Sequence, residues 1–271
     1  MHLDYFEVDV FATTAFSGNP LAVIAGADEL STEQMQRIAN WINFSETTFL
    51  LRPTTADADY RVRIFTPHEE FAFAGHPTLG TARVFCELTG HTGDLVQECG
   101  VGLVDIKEER EVFSFATPAL YKSGPLSAAE LSESAAALGI DEAEIYDAAW
   151  ADNGPGWRLV QLRDAAAVRT LQPNNARDIK VGVVGLESPQ QAGQPLYEIR
   201  AFTPSSEDPV TGSLNGAAAQ FMRERGLVPA SYTARQGSQL GRNGLVHITD
   251  DGANVWVGGN VHVRVRGSLE V

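Results

Sequence analysis

The chain predicts an α+β fold made of two related halves, each a curved, mostly antiparallel sheet wrapped around one central helix. Three observations predict it. Arg63, Phe65, Thr66, Pro67, Glu70, Gly75 and Ala82 recur 137 positions later as Arg200, Phe202, Thr203, Pro204, Glu207, Gly212 and Ala219, which gives 7 identities in the 20 positions from Arg63 to Ala82 and marks an internal duplication. Most of the remaining sequence reads as short strands, and its helices are too few and too unevenly spaced for a doubly wound α/β fold. Both copies of the motif run into small-residue helices, as a helix enclosed by sheet needs. The halves are expected at 1–118 and 119–271, with the extreme C-terminus able to pack back on the first.

Tyr5 to Phe11 alternates Phe6, Val8 and Val10 against Glu7 and Asp9, the pattern of a half-buried strand, and Pro20 to Ile24 reads as another. Gly18-Asn19 between them is a turn or a tight backbone approach. Ser31 and Gln34 form a capping box, followed at helical spacing by Met35, Ile38, Ala39 and Ile42, with a stop near Asn43. Thr47 to Leu51 and Tyr60 to Phe65 are strand-like. Pro77 suits the first turn of a helix reaching about Leu88. Leu95 to Lys107 and Glu111 to Phe115 read as a meander turning at Glu108 to Arg110.

The seam is expected between Thr117 and Ser127, where Pro118, Gly124 and Pro125 precede a second capping box, Ser127 to Glu130, and a helix ending near Gly139. Strands follow near Ile145 to Trp150, Trp157 to Leu162, Ile179 to Leu186 and Tyr197 to Phe202. A helix then runs from Gly212 to about Glu224. The tail reads as four strands, at Tyr232 to Gln236, Leu245 to Ile248, Asn254 to Val257 and Val261 to Val265.

A chain of 271 residues with formal net charge -15 and 44% hydrophobic content is large enough for a substantial core and repels polyanions, so nucleic acid is not an expected partner. No apolar run approaches the roughly 18 residues of a membrane span, and no basic leader precedes the first strand, so the cytoplasm is the expected location. Cys86 and Cys99 have neither redox-pair nor metal-cluster spacing, and Cys86 falls on the apolar side of a helix pattern. His68 and His76 lack partners at metal-ligand spacing, and neither a phosphate-binding loop nor a dinucleotide fingerprint occurs. No cofactor or metal is expected.

Candidate chemistry centres on two carboxylates. Glu46 stands where a helix gives way to a strand, in Asn43-Phe44-Ser45-Glu46-Thr47-Thr48, and can be a cleft-rim carboxylate or a solvated turn residue. Asp208 stands between the repeated Phe-Thr-Pro strand end and a helix start, where it can serve chemistry or cap the helix. If both face one closed cleft, repulsion and burial raise at least one pKa into the range of a neutral-pH acid or base. The matched steps Gly75-His76 and Gly212-Ser213 let two helix N-termini cradle a carboxylate or a developing enolate, or else simply permit tight turns.

The strings Phe16-Ser17-Gly18-Asn19-Pro20-Leu21-Ala22-Val23, Asn43-Phe44-Ser45-Glu46-Thr47-Thr48-Phe49, Phe73-Ala74-Gly75-His76-Pro77-Thr78-Leu79-Gly80 and Glu207-Asp208-Pro209-Val210-Thr211-Gly212-Ser213 resemble the PhzF family, the phenazine-biosynthesis isomerase group. The resemblance runs over essentially the whole chain. It implies a diaminopimelate-epimerase-like fold with an active site in a cleft between two barrel-like halves, a homodimer, and isomerisation without cofactor or metal. It also implies Glu46, His76, Asp208 and Ser213 as catalytic residues, with Asn19, Ser45, Gly75, Thr211 and Gly212 binding substrate. In the phenazine enzyme the glutamate shuttles a proton between carbons of trans-2,3-dihydro-3-hydroxyanthranilate. Related cofactor-free epimerases place a cysteine after each repeated turn, where this chain has His76 and Ser213. Phe71-Ala72-Phe73 departs from the family pattern, which has a proline before the second phenylalanine. Three readings stay open: a carbon-acid isomerase acting on a small carboxylate-bearing metabolite, a racemase or epimerase acting at one carbon, and a non-catalytic small-molecule binding protein.

Overall fold

In the computed structural model, which describes residues 1–174, 178–204 and 206–271, the repeated motif folds twice into the same small hairpin. Each copy lies in its own unit. The first unit is Met1–Ala116 together with Gly258–Val271, and the second is Thr117–Val257.

The first unit holds strands β1 (His2–Val10), β2 (Asn19–Ala25), β3 (Thr47–Leu51), β4 (Tyr60–Phe65), β5 (Glu70–Phe71), β6 (Leu95–Cys99), β7 (Gly102–Glu109) and β8 (Val112–Ala116), with helices α1 (Thr32–Ile42) and α2 (Gly75–Thr89). Pairing runs β1 to β2, β2 to β3, β3 to β4, β4 to β6, β6 to β7 and β7 to β8, and the final strand of the chain, which starts at Val255 and ends at Glu270, joins β8 back to β1. The sheet therefore closes on itself around α2. Two joints, β2 with β3 and β4 with β6, are parallel. Each is bridged by a helix, as a parallel crossover requires.

Closure explains the composition of α2. Its residues from Gly75 to Ala82 are all buried, and a Cβ on Gly80 would come within 2.4 Å of Leu21 Cδ2 and 3.0 Å of Val8 Cγ2. Only a smooth helix face fits so near the barrel wall. Outside the ring, α1 lays Met35 and Ala39 on Leu3, Ile24, Phe49, Leu51 and Phe65. Its ends follow the sequence signals, since Ser31 and Gln34 form the reciprocal cap and Asn43 takes the left-handed conformation.

In the second unit β9 (Lys122–Pro125) and α3 (Ala128–Leu138) come first, and the order of the first unit then recurs in β10 (Asp147–Asp152), β11 (Arg158–Gln161), α4 (Ala165–Thr170), β12 (Val181–Leu186), β13 (Tyr197–Phe202), β14 (Glu207–Asp208), α5 (Gly212–Glu224), β15 (Ser231–Gln236) and β16 (Gly244–Asp250). Its parallel joints are β11 with β12 and β13 with β15, bridged by α4 and α5 as α1 and α2 bridge theirs. Helix α5 is buried from Leu214 to Ala219. Phe202 packs with Val168 of α4 and Leu138 of α3, the counterpart of Phe65 against α1.

Four element readings need correction. The stretch Leu95 to Lys107 is two strands that turn at Gly100-Val101. Strand β9 and helix α4 went unread because each is short, and a six-residue helix carries too little periodicity to announce itself. The last two tail segments are one strand, β17 (Val255–Glu270), running straight through Gly258-Gly259. Glycine there breaks nothing. A Cβ on Gly258 would meet Phe113 O and Ser114 Cβ at 2.6 Å, so the residue marks a close strand approach. Among the described residues no helix is long and apolar enough to cross a membrane.

Candidate active site

The duplicated residues build a clamp ahead of each central helix. Arg63 donates from Nε and Nη2 to the Glu70 carboxylate at 2.7 and 2.6 Å, and Arg200 does the same to Glu207 at 2.9 and 2.8 Å. Each guanidinium also lies over the phenylalanine two residues on, at 5.1 Å for Phe65 and 4.9 Å for Phe202. Thr66 N–H bonds Glu69 O at 2.8 Å, and Thr203 N–H bonds Ser206 O at 2.9 Å. These fork-shaped pairs lock β4 to β5 and β13 to β14, fixing where the chain enters α2 and α5. The two central helices also share an omission. Ala74 and Thr211, their N-caps, give no side-chain capping bond, whereas α1 and α3 carry full capping boxes. Their N-cap side chains thus leave the first-turn amides uncapped, which suits an anion.

In the first unit Glu46, His76 and Asn19 come together. His76 follows Gly75 in the first turn of α2, Asn19 begins β2, and Glu46 precedes β3. His76 Nδ1 lies 3.5 Å from Glu46 Oε2 and 3.5 Å from Asn19 Nδ2. The helix start is pinned from below: Thr81 Oγ1 donates to Pro77 O at 2.7 Å or to Thr48 Oγ1 at 2.9 Å, and Gln97 Nε2 donates to Thr78 Oγ1 at 3.0 Å. Burial drives the His76 pKa down to about 3, against a small upward pull from the Pro20 backbone. Its contact with Glu46 is thus one of a neutral imidazole with a carboxyl group at pH 7. A neutral ring can donate through one nitrogen and accept through the other, and Nε2 is a buried atom without a hydrogen-bond partner among the described residues. Ser45, expected to touch substrate, is exposed on the turn beside Glu46.

In the second unit Asp208, Thr211, Gly212 and Ser213 lie on one short turn from β14 into α5. Thr211 Oγ1 donates to Asp208 Oδ2 at 2.5 Å and accepts from Gln236 Nε2 at 3.0 Å. Gln236 is fully buried; it also donates to Asp208 O at 3.1 Å and accepts from Thr211 N at 3.0 Å and Asn215 Nδ2 at 2.7 Å. The turn is thereby tied to β15. Ser213 Oγ accepts from the Trp157 indole at 3.0 Å, and Ser213 O accepts from Asn153 Nδ2 at 2.9 Å. Sequence reasoning missed Gln236, Trp157 and Asn153. No motif flags them, since each reaches the turn from a strand or loop distant in sequence.

The family model for phenazine biosynthesis-like proteins, PhzC-PhzF, matches residues 8–268. The chain belongs to the PhzF family. Relatives are similar over nearly their full length. Antisense-enhancing sequence 1 of Schizosaccharomyces pombe is 36% identical over 96% of each chain. The trans-2,3-dihydro-3-hydroxyanthranilate isomerase of Pseudomonas chlororaphis is 34% identical over 98% of each. Among solved structures, a PhzF-family protein of Enterococcus faecalis superposes over 100% of both chains with TM-score 0.82 at 28% identity. The curved sheets around α2 and α5 are the PhzF fold, and its duplication reaches beyond the motif from Arg63 to Ala82. Tyr60 and Tyr197, both buried, extend the repeat three residues upstream.

Proposed function

We propose that this PhzF-family protein is a cofactor-independent isomerase that moves a proton between carbons of a small carboxylate-bearing metabolite, with Glu46 as the shuttle. The observation that carries this reading is the contact of Glu46 Oε2 with His76 Nδ1 at 3.5 Å, beside a ring held neutral by burial. In the proposed step the Glu46 carboxylate takes a proton from one carbon, the electron pair of that C–H bond moves into the adjoining unsaturated system, and the same carboxyl returns the proton to another carbon. Neutral His76 serves as a hydrogen-bonding partner to the developing charge, and the first-turn amides of α2, from which His76 itself projects, favour an anion. In the second unit, Asp208 and Ser213 are assigned to polar groups of a carboxylate-bearing ligand. The named activity of the Pseudomonas relatives supports an isomerase and makes trans-2,3-dihydro-3-hydroxyanthranilate the first compound to test.

A racemase working through two thiols receives no support from the residues. Cys86 and Cys99 are half-buried, and burial pushes the Cys86 thiol up to about 11 and that of Cys99 upward, so neither is a ready base at neutral pH. Turnover in deuterated water, followed by NMR, tests the proposal: deuterium should enter the rearranged product, and Glu46→Gln should slow it by about 10²–10⁴-fold. Full activity in that variant would remove Glu46 from the mechanism. Product of unchanged constitution and inverted configuration would point to an epimerase.

A further inference from the structure

Building on that reading, we infer that Asn153 is a substrate-contacting residue whose Oδ1 accepts a hydrogen bond from an amino or hydroxyl group carried beside the substrate carboxylate. The inference rests on hydrogen-bond polarity around Ser213, all of it within the second unit. The Trp157 indole can only donate, and it is 3% exposed, so its bond to Ser213 Oγ at 3.0 Å makes that oxygen an acceptor there. The Ser213 hydroxyl hydrogen is turned away from the indole and donates to no group among the described residues. Ser213 therefore offers a donor, which a carboxylate oxygen accepts.

Asn153 faces the opposite demand. Both hydrogens of its Nδ2 are committed, to Ser213 O at 2.9 Å and Thr117 Oγ1 at 3.3 Å. A backbone carbonyl can only accept, so the nitrogen must lie on that side and the amide cannot be turned over. Thr117 packs directly on α5 at Gly216, where a Cβ would come within 2.1 Å of its Oγ1. Oδ1 is thus pointed by its neighbours, yet it is a buried acceptor with no partner among the described residues, in a side chain belonging to a residue only 6% exposed. Native structures rarely leave such an atom unmatched, and a ligand group or an ordered water fills it. A bare carboxylate would satisfy Ser213 and leave Oδ1 facing another acceptor. A carboxylate with a neighbouring N–H or O–H satisfies both.

The test is calorimetric binding of two probes, anthranilate, whose amino group lies next to its carboxylate, and benzoate, which lacks it. Wild-type protein should bind anthranilate about tenfold more tightly, the factor expected when one buried acceptor is matched rather than left unpaired. In Asn153→Ala, checked for an unchanged melting temperature, that ratio should fall to about one, whereas loss of a merely structural contact would weaken both probes alike and keep the ratio. Equal binding of the two probes by wild-type protein, a comparison that needs no variant, would overturn the inference while leaving the carboxylate reading intact. So would a ratio that survives in Asn153→Ala, or a water that keeps its bond to Oδ1 in a crystal of the anthranilate complex. Failure of both probes to bind would instead remove the carboxylate reading, and this inference with it.

Discussion

His76 is a base that the fold refuses to protonate. Its pKa falls from an ordinary 6.5 to about 3 because charging the ring would place an ion among buried groups. Between those values the unfolded chain binds a proton that the folded chain does not. The associated stability is therefore present in full above about pH 6.5 and is lost as pH falls toward 3. Replacing His76 with Gln should flatten the pH dependence of unfolding free energy in that window by about 1.4 kcal/mol per pH unit, measured by denaturant unfolding at pH 7 and pH 4. Parallel slopes for wild type and variant would show that the ring titrates normally. The identity of His76 was readable from its place after a repeated glycine. Its charge state was not, because it depends on enclosure by strands remote in sequence.

At the scale of elements, the two arginine clamps share chemistry and differ in setting. The side chains of Arg200 and Glu207 are 5% and 13% exposed, against 25% and 38% for Arg63 and Glu70. Arg200 also donates to Val168 O at 3.1 Å and Leu171 O at 2.8 Å, closing the end of α4. Removing one member of a buried pair strands the other, so Arg200→Ala is expected to cost about 3–5 kcal/mol. Arg63→Ala breaks a wetter pair and should cost roughly 1 kcal/mol or less. Thermal melts of the two variants separate the cases, and equal losses would mean that the difference in burial has no energetic consequence. Helices α1 and α3 were legible to within a residue because capping boxes are local chemistry. Helix α4 was not, since it is specified mainly as the crossover that parallel pairing of β11 with β12 requires.

For the molecule as a whole, the chain's last strand completes the first closed sheet. Residues Val261 to Glu270 pair with β1, and Met1 N donates to Val271 O at 2.5 Å, so both chain ends lie in one ring. Truncation after Val257 would leave β1 and β8 each with an unpaired edge. Hydrogen exchange should then show the amides of β1, β2 and β8 losing protection while those of β12, β13 and β15 keep it; uniform retention would show that the ring does not need its last strand. A homodimer, which membership of the PhzF family leads one to expect, should scatter light as about twice 29.2 kDa. A mass that stays at 29.2 kDa across protein concentrations would refute it.

The sequence by itself determined the duplication, the family, most strand positions, the two capped helices, and the residue types at Glu46, His76, Asp208 and Ser213. All of these are written in local spacing or in repetition. Tertiary structure alone decided which groups surround them: the enclosure that keeps His76 neutral, the Gln236 side chain tying down the Asp208 turn, and the Trp157 and Asn153 bonds that set the polarity around Ser213. Such contacts join residues brought together only when a sheet curls around its central helix. Burial and hydrogen-bond direction are properties of that enclosure, and no short stretch of chain carries them.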